Sequence, residues 1–313
     1  MRAPVPLLLI TVLQGVSGGM AVTFAIVLAT GGHVGVVGYG TALGLALIGG
    51  ASSFTHMHQL SAGRYMLRGW RTSWLSREAL TTSWFIAALA VQILWLRGTG
   101  VSEGVTVWGI VTAGLGLFAM WVTAMVYATI PAMRSWHSPL TVVALMLTGV
   151  FGGWVVALVF SPSRPWEIPL AFALALVWAF TRALQDRFFI TARRGVMAAT
   201  GTGLPRPPYR LQDTGTTKPP YRTQTQIAPE ISGATRRNAL LTILWWMLIL
   251  PGILTASAHV FSAPITIAAV RAGSVVVGSF MDRWLFFRDA THSSRVWFSD
   301  QSFPKRPRVA ARS

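Results

Sequence analysis

The sequence predicts an all-α polytopic membrane protein, an eight-transmembrane-helix bundle, on three observations. Apolar runs long enough to carry a helix across a hydrocarbon core, about 20 residues each, recur along the whole chain. Charged residues make up 11% of the sequence, against about 25% in an ordinary soluble domain. Lys and Arg collect on one side of the runs. A closed barrel would instead show alternating segments of about ten residues.

The first run, 4–29, follows Arg2 and is rich in small residues, which resembles a signal peptide. Its apolar stretch continues to Leu28 without a strong cleavage signal, so it reads as a retained first helix. The second run is 35–58. The third, 78–97, opens on Glu78, and the fourth, 104–130, is followed by Arg134, Trp136 and His137. The fifth is 139–161, and the sixth, 168–190, ends with Arg182 and Asp186. Leu250-Pro251-Gly252 interrupts the seventh, 238–258, and the eighth, 262–287, contains Arg271 and ends with Asp282 and Arg283. Gly15, Gly18, Gly19, Gly44, Gly49, Gly50 and Ala51 crowd the first two runs, as expected where membrane helices approach closely. The chain thus divides into helices 1–6 over 1–192, a hydrophilic Pro-rich loop over 193–237, helices 7–8 over 238–287 and a basic tail over 288–313.

An even number of spans puts both termini on one side of the membrane, called side one below. Of the 26 Lys and Arg, Arg97 and Arg164 fall on side two and Arg271 lies inside the last span; all the others belong to side one. The positive-inside rule makes side one cytoplasmic, in a prokaryotic cytoplasmic membrane. The net charge of +17 therefore points to anionic membrane lipid and acidic partner surfaces rather than to nucleic acid. In the loop 193–237, Pro-Pro-Tyr-Arg occurs at Pro207 and again at Pro219. Such sequence cannot bury a core and favours extended polyproline structure. It reads as a linker, or as a strap on a partner with Tyr209, Arg210, Tyr221 and Arg222 as contacts.

Ionisable side chains near membrane depth are costly and mark partners or cavities. Here they gather at side one: His56 and His58, Glu78, Arg134 to His137, Arg182 with Asp186, and Asp282 with Arg283. Each has a plain explanation. Glu78 would sit in a first helical turn, where the helix dipole favours a carboxylate. Arg182 and Asp186 are i,i+4 neighbours, and tryptophan belongs at the interface. Together, however, a histidine, a carboxylate, arginines and aromatics around an apolar mouth suit quinol oxidation. A quinol gives up two electrons and two protons, needs hydrogen-bond partners at both oxygens, and needs proton acceptors tuned by burial and neighbours. With no cysteine, the chain holds no thiolate-ligated cluster, covalent haem or disulfide, and no metal site is expected.

The stretch HMHQLSAGRYMLRGWRTSWLSREAL, residues 56–80, resembles the central signature of DmsC-type membrane-anchor subunits of dimethyl sulfoxide reductases. In that family a histidine ends helix 2, a basic loop follows, and a Ser-Trp-Leu-Ser-Arg-Glu element opens helix 3. VYATIPAMRSWHSPLT (126–141) resembles the family's turn between helices 4 and 5, and DRWLFF (282–287) the element closing the last helix. The resemblance implies an anchor that oxidises menaquinol to menaquinone and passes electrons to an iron–sulfur subunit, which feeds a molybdopterin catalytic subunit. Clusters and molybdopterin belong to those partners, and nothing is covalently bound to this chain. Glu78 matches the family's glutamate. His56, 22 residues earlier, matches its histidine by ungapped spacing. The family's His-Leu-Gly-x-Pro is replaced here by His-Met-His-Gln-Leu, with His58 at the glycine position, so both histidines stay in view. The resemblance makes His56 and Glu78 the proton acceptors, with His58, Arg71, Trp74, Arg77 and Trp136 around the quinol, and with Arg64 and Arg68 facing the partner.

Three other readings compete on the sequence alone. A polysulfide reductase-type anchor shares the chemistry. A diheme cytochrome needs facing histidine pairs, and His33, His56, His58, His137 and His259 form no clean ones. A transporter would favour repeats and broken helices; only Pro251 and Arg271 hint at it.

Overall fold

The computed structural model of the chain describes residues 5–53, 67–131, 133–161, 166–194, 231–256 and 264–290. Every regular element among these is helical. In chain order they are α1 (Val5–Ala29), α2 (Val36–Ser52), α3 (Trp74–Thr99), α4 (Glu103–Ala128), α5 (Pro139–Ala157), α6 (Glu167–Arg194), α7 (Gly233–Ala256) and α8 (Pro264–Arg288). Seven are long and apolar enough to cross a membrane, and α2, at 17 residues, is shorter. The predicted second span ran to residue 58; from Phe54 it lies outside the described residues.

Serine caps set several of the helix starts. The side chains of Ser73, Ser102, Ser138 and Ser232 accept N–H groups of the first turns of α3, α4, α5 and α7, and Pro139 follows Ser138 where a missing N–H costs nothing. Two expectations shift as a result. Helix α3 begins at Trp74, a turn before the apolar run, so Glu78 stands beyond the first turn. Helix α7 begins at Gly233, so the end of the predicted hydrophilic loop is helical. Hydropathy alone does not see a cap.

Helix α1 is the buried axis of the bundle, packed against α2, α4 and α5. Its contact with α5 is glycine on glycine. A Cβ on Gly153 would lie 2.4 Å from Gly19 Cα, and one on Gly19 would lie 2.2 Å from the Gly149 carbonyl oxygen. Gly15 and Gly19 thus face Gly149 and Gly153, two small-xxx-small pairs that let the backbones touch. Gly44, expected to serve packing as well, has open space around its Cβ position. Helices α5 to α8 enclose a second core around Trp178, Ile243, Met247 and Val275.

Both α1 and α7 contain a π turn, over Ile10–Gln14 and Trp245–Ile249. The expected interruption at Pro251 is not a break. Proline offers no N–H to the preceding turn; the helix widens ahead of it and continues to Ala256. The π turn in α1 sets Gln14 inside the bundle, and single π turns are common at functional sites.

Candidate functional site: a buried polar layer at one end of the bundle

The ends of α4, α6 and α8 and the beginnings of α1, α3 and α7 meet at side one. Glu78 lies there, 6% exposed, with its carboxyl facing Thr123 of α4. Gln14, from the π turn of α1, donates its Nε2–H to Thr123 Oγ1 at 3.4 Å. One helical turn beyond Thr123, Tyr127 interacts electrostatically with both Glu78 and Arg283. Arg283 Nη2 lies 3.2 Å from Asp282 Oδ2, and Arg182 Nε donates to Asp282 Oδ1 at 2.5 Å. This buried triad joins α6 to α8 and carries one positive charge in excess, with Tyr127 between it and the Glu78 carboxylate.

Two cavities, each about the size of one water molecule, lie within the layer. Gln14 and Thr123 line the first, Arg283, Thr148 and Ser279 line the second, and Thr11 lines both. Gln14 Oε1 and Arg283 Nη2 retain hydrogen-bonding capacity beside them. The layer thus gathers exchangeable hydrogen-bond groups between Glu78 and Arg283 at one end of the bundle.

A second ionic cluster ties the same ends together. Arg236 of α7 binds Asp186 of α6 and donates through Nε to Asp289 at 2.9 Å. The expected i,i+4 pair between Arg182 and Asp186 is thus replaced by two pairings across helices. Tertiary packing brings Arg182 a better-buried carboxylate, Asp282, than Asp186 of its own helix.

Aromatic side chains close the layer. Trp136 is buried, stacks on Phe286 at 5.2 Å with an interplanar angle of 10°, and donates its indole N–H to the Phe286 carbonyl at 3.3 Å. Tyr127 meets its edge at 5.5 Å. Trp74 packs edge-on against Trp121, also at 5.5 Å. The Arg77 guanidinium covers the Trp74 ring at 4.3 Å and donates to the carbonyls of Trp70 (2.9 Å) and Arg71 (2.6 Å). It holds the loop end in place, so its partners are loop carbonyls rather than Glu78. Arg71 lies 5.3 Å from the Trp70 ring, and both it and Arg68 are exposed. His137 Nδ1–H donates to the Ala128 carbonyl at 2.7 Å.

The structure thus brings Glu78, Trp74 and Arg77 to one helix end and places Trp136 behind Tyr127. His56, His58, Arg64, Tyr209, Arg210, Tyr221 and Arg222 lie outside the described residues. Among the described residues no cluster of three or more His, Cys, Asp or Glu could hold a metal ion. Sequence reasoning missed Gln14, Thr123 and Tyr127. Gln14 had a legible signal, since it is the one amide in an otherwise apolar first span. Thr123 and Tyr127 had none, because threonine and tyrosine are ordinary in membrane helices.

Comparison with known proteins bears on what this layer serves. The family described as DMSO reductase anchor subunit (DmsC) matches residues 1–287. A sulfite dehydrogenase subunit of Allochromatium vinosum is 30% identical over 136 residues, which cover 40% of this chain and 42% of that protein. The chain's match thus spans less than half the length of this curated relative. No solved structure matches.

Proposed function

Because the chain belongs to the DMSO reductase anchor subunit (DmsC) family, the multi-pass membrane anchors of molybdoenzymes, we propose that it oxidises menaquinol at side one and hands the electrons to an iron–sulfur partner. A molybdopterin catalytic subunit receives them in turn. The single observation that carries this reading is Glu78, a carboxyl group buried inside the bundle facing Thr123, one turn into the helix that follows the basic loop.

A quinol loses two protons and two electrons to become a quinone. The Glu78 carboxylate accepts one proton, and His56, or His58 beside it, accepts the other. Thr123 and Gln14 fix the orientation of the carboxylate. The triad's excess positive charge lies across Tyr127 from it, so the buried carboxylate has a charge complement within the same layer. Trp74 and Trp121 give the ring an apolar wall. The electrons leave one at a time to clusters on the partner, since a chain without cysteine has no thiolates to bind its own. Arg64 and Arg68, with Tyr209, Arg210, Tyr221 and Arg222, supply a basic docking face for that partner. Side one is the cytoplasmic face of a prokaryotic inner membrane, by the charge bias.

Steady-state oxidation of a menaquinol analogue by membranes carrying the assembled complex tests the assignment. Glu78→Gln and His56→Ala should each lower the rate by about a hundredfold or more with normal amounts of assembled complex. Parental rates in both variants would remove the assignment.

A further inference from the structure

A further, apolar cavity plays no part in the polar layer. It is a groove of about 200 Å³ between α5, α6, α7 and α8, toward side two. Phe151, Phe172, Leu176 and Pro251 form its apolar walls, and its polar groups are Thr255 and Arg271. Phe172 is 55% and Leu176 71% exposed, so the groove opens sideways to the bilayer.

Arg271 is the unusual member. It stands on α8 about two turns from the side-two end, and helix side chains lean toward the N-terminus, which aims its guanidinium at the side-two interface. Nη1 donates to Thr255 Oγ1 at 3.2 Å, while Nε is buried and makes no hydrogen bond. Among the described residues, no Asp or Glu lines the groove. A cation at membrane depth ordinarily faces a counter-charge or water, and here the groove walls supply no carboxylate.

We propose that this groove is a binding site for an anionic phospholipid, with an acyl chain along the apolar walls and the phosphate on Arg271 and Thr255. Charge and shape argue together for this occupant. The elongated apolar trough suits a hydrocarbon chain, and a planar guanidinium with donors to spare suits a phosphate. A neutral ring would leave the cation uncompensated.

The test is native mass spectrometry of the full chain, delipidated in detergent and titrated with phosphatidylglycerol or with phosphatidylcholine of the same acyl chains. Wild-type protein should retain one phosphatidylglycerol that Arg271→Gln loses, an affinity change of about fivefold for one cation, with phosphatidylcholine binding equal in the two. Gly252→Leu, at a position where a Cβ meets nothing within 4 Å, should fill the trough and lower retention of both lipids. Should Arg271→Gln fail to fold, Arg271→Lys keeps the charge without the planar fork and should lose part of the preference. Equal retention of phosphatidylglycerol by wild type, Arg271→Gln and Gly252→Leu would overturn the proposal. So would displacement of the bound phospholipid by an equimolar short-chain menaquinone analogue, which would make the groove a second quinone site.

Discussion

The two ends of this bundle are built on opposite terms. At side one, ionisable groups from α3, α6, α7 and α8 are buried or half-buried, with ion pairs across helices: Arg182 to Asp282, Arg236 to Asp186 and Asp289, and Glu78 facing Thr123. At side two, the groove walls are apolar and the one charge in them, Arg271, meets a hydroxyl rather than a carboxylate. The difference teaches where proton chemistry can occur. Side one gathers the buried titratable groups that the proposed proton uptake from quinol would use. The side-two groove, among the described residues, is lined by no Asp or Glu that could take up a proton.

The contrast can be broken at its hinge. The glycine contact between α1 and α5 holds both ends in register, so Gly153→Val, whose Cβ would meet the Gly19 backbone at 2.4 Å, should have the largest effect. We expect loss of monodisperse protein in size-exclusion chromatography after detergent extraction; a normal profile would mean that the helices cross elsewhere. Next comes Asp282→Ala. It leaves two arginines in the layer without their shared carboxylate and should cost about 3–5 kcal/mol, seen as a clear fall in thermal midpoint. An unchanged midpoint would show that the triad contributes nothing to holding α6 on α8.

A smaller effect should follow from Thr123→Val, which keeps the shape and removes the hydroxyl that faces Glu78 and accepts from Gln14. Quinol oxidation should drop about tenfold, the worth of one hydrogen bond to a charged group, while assembly stays normal. An undiminished rate would detach Thr123 from the site. The smallest effect belongs to side two. Arg271→Gln should leave menaquinol oxidation within about twofold of wild type, because Arg271 bonds Thr255 in the side-two groove and touches no group of the layer. A large loss there would show that the two ends are coupled.

Much of this was legible in the sequence, for physical reasons that can be named. Eight apolar runs and the lopsided arginines determined the helix number and the pairing of ends, since crossing length and charge bias are properties of the segment alone. SWLSRE made Glu78 the residue to watch, although the predicted third span opens on Glu78 rather than at Trp74. What escaped were matters of contact. That Arg182 would choose Asp282 over Asp186 depends on how α6 meets α8, which no i,i+4 rule contains. That Gln14 would reach Thr123 depends on a π turn, which has no compositional signature. The serine caps at Ser73 and Ser232 were readable and would have moved α3 and α7 to their observed starts; apolar counting overrode them.

The central claim, that Glu78 receives a proton from the quinol, is most directly measured by the infrared difference spectrum of the assembled complex upon menaquinol oxidation. The account predicts a carboxylic-acid carbonyl band that appears with oxidation in wild type, shifts on deuteration and is missing in Glu78→Gln. The same band undiminished in Glu78→Gln would contradict it.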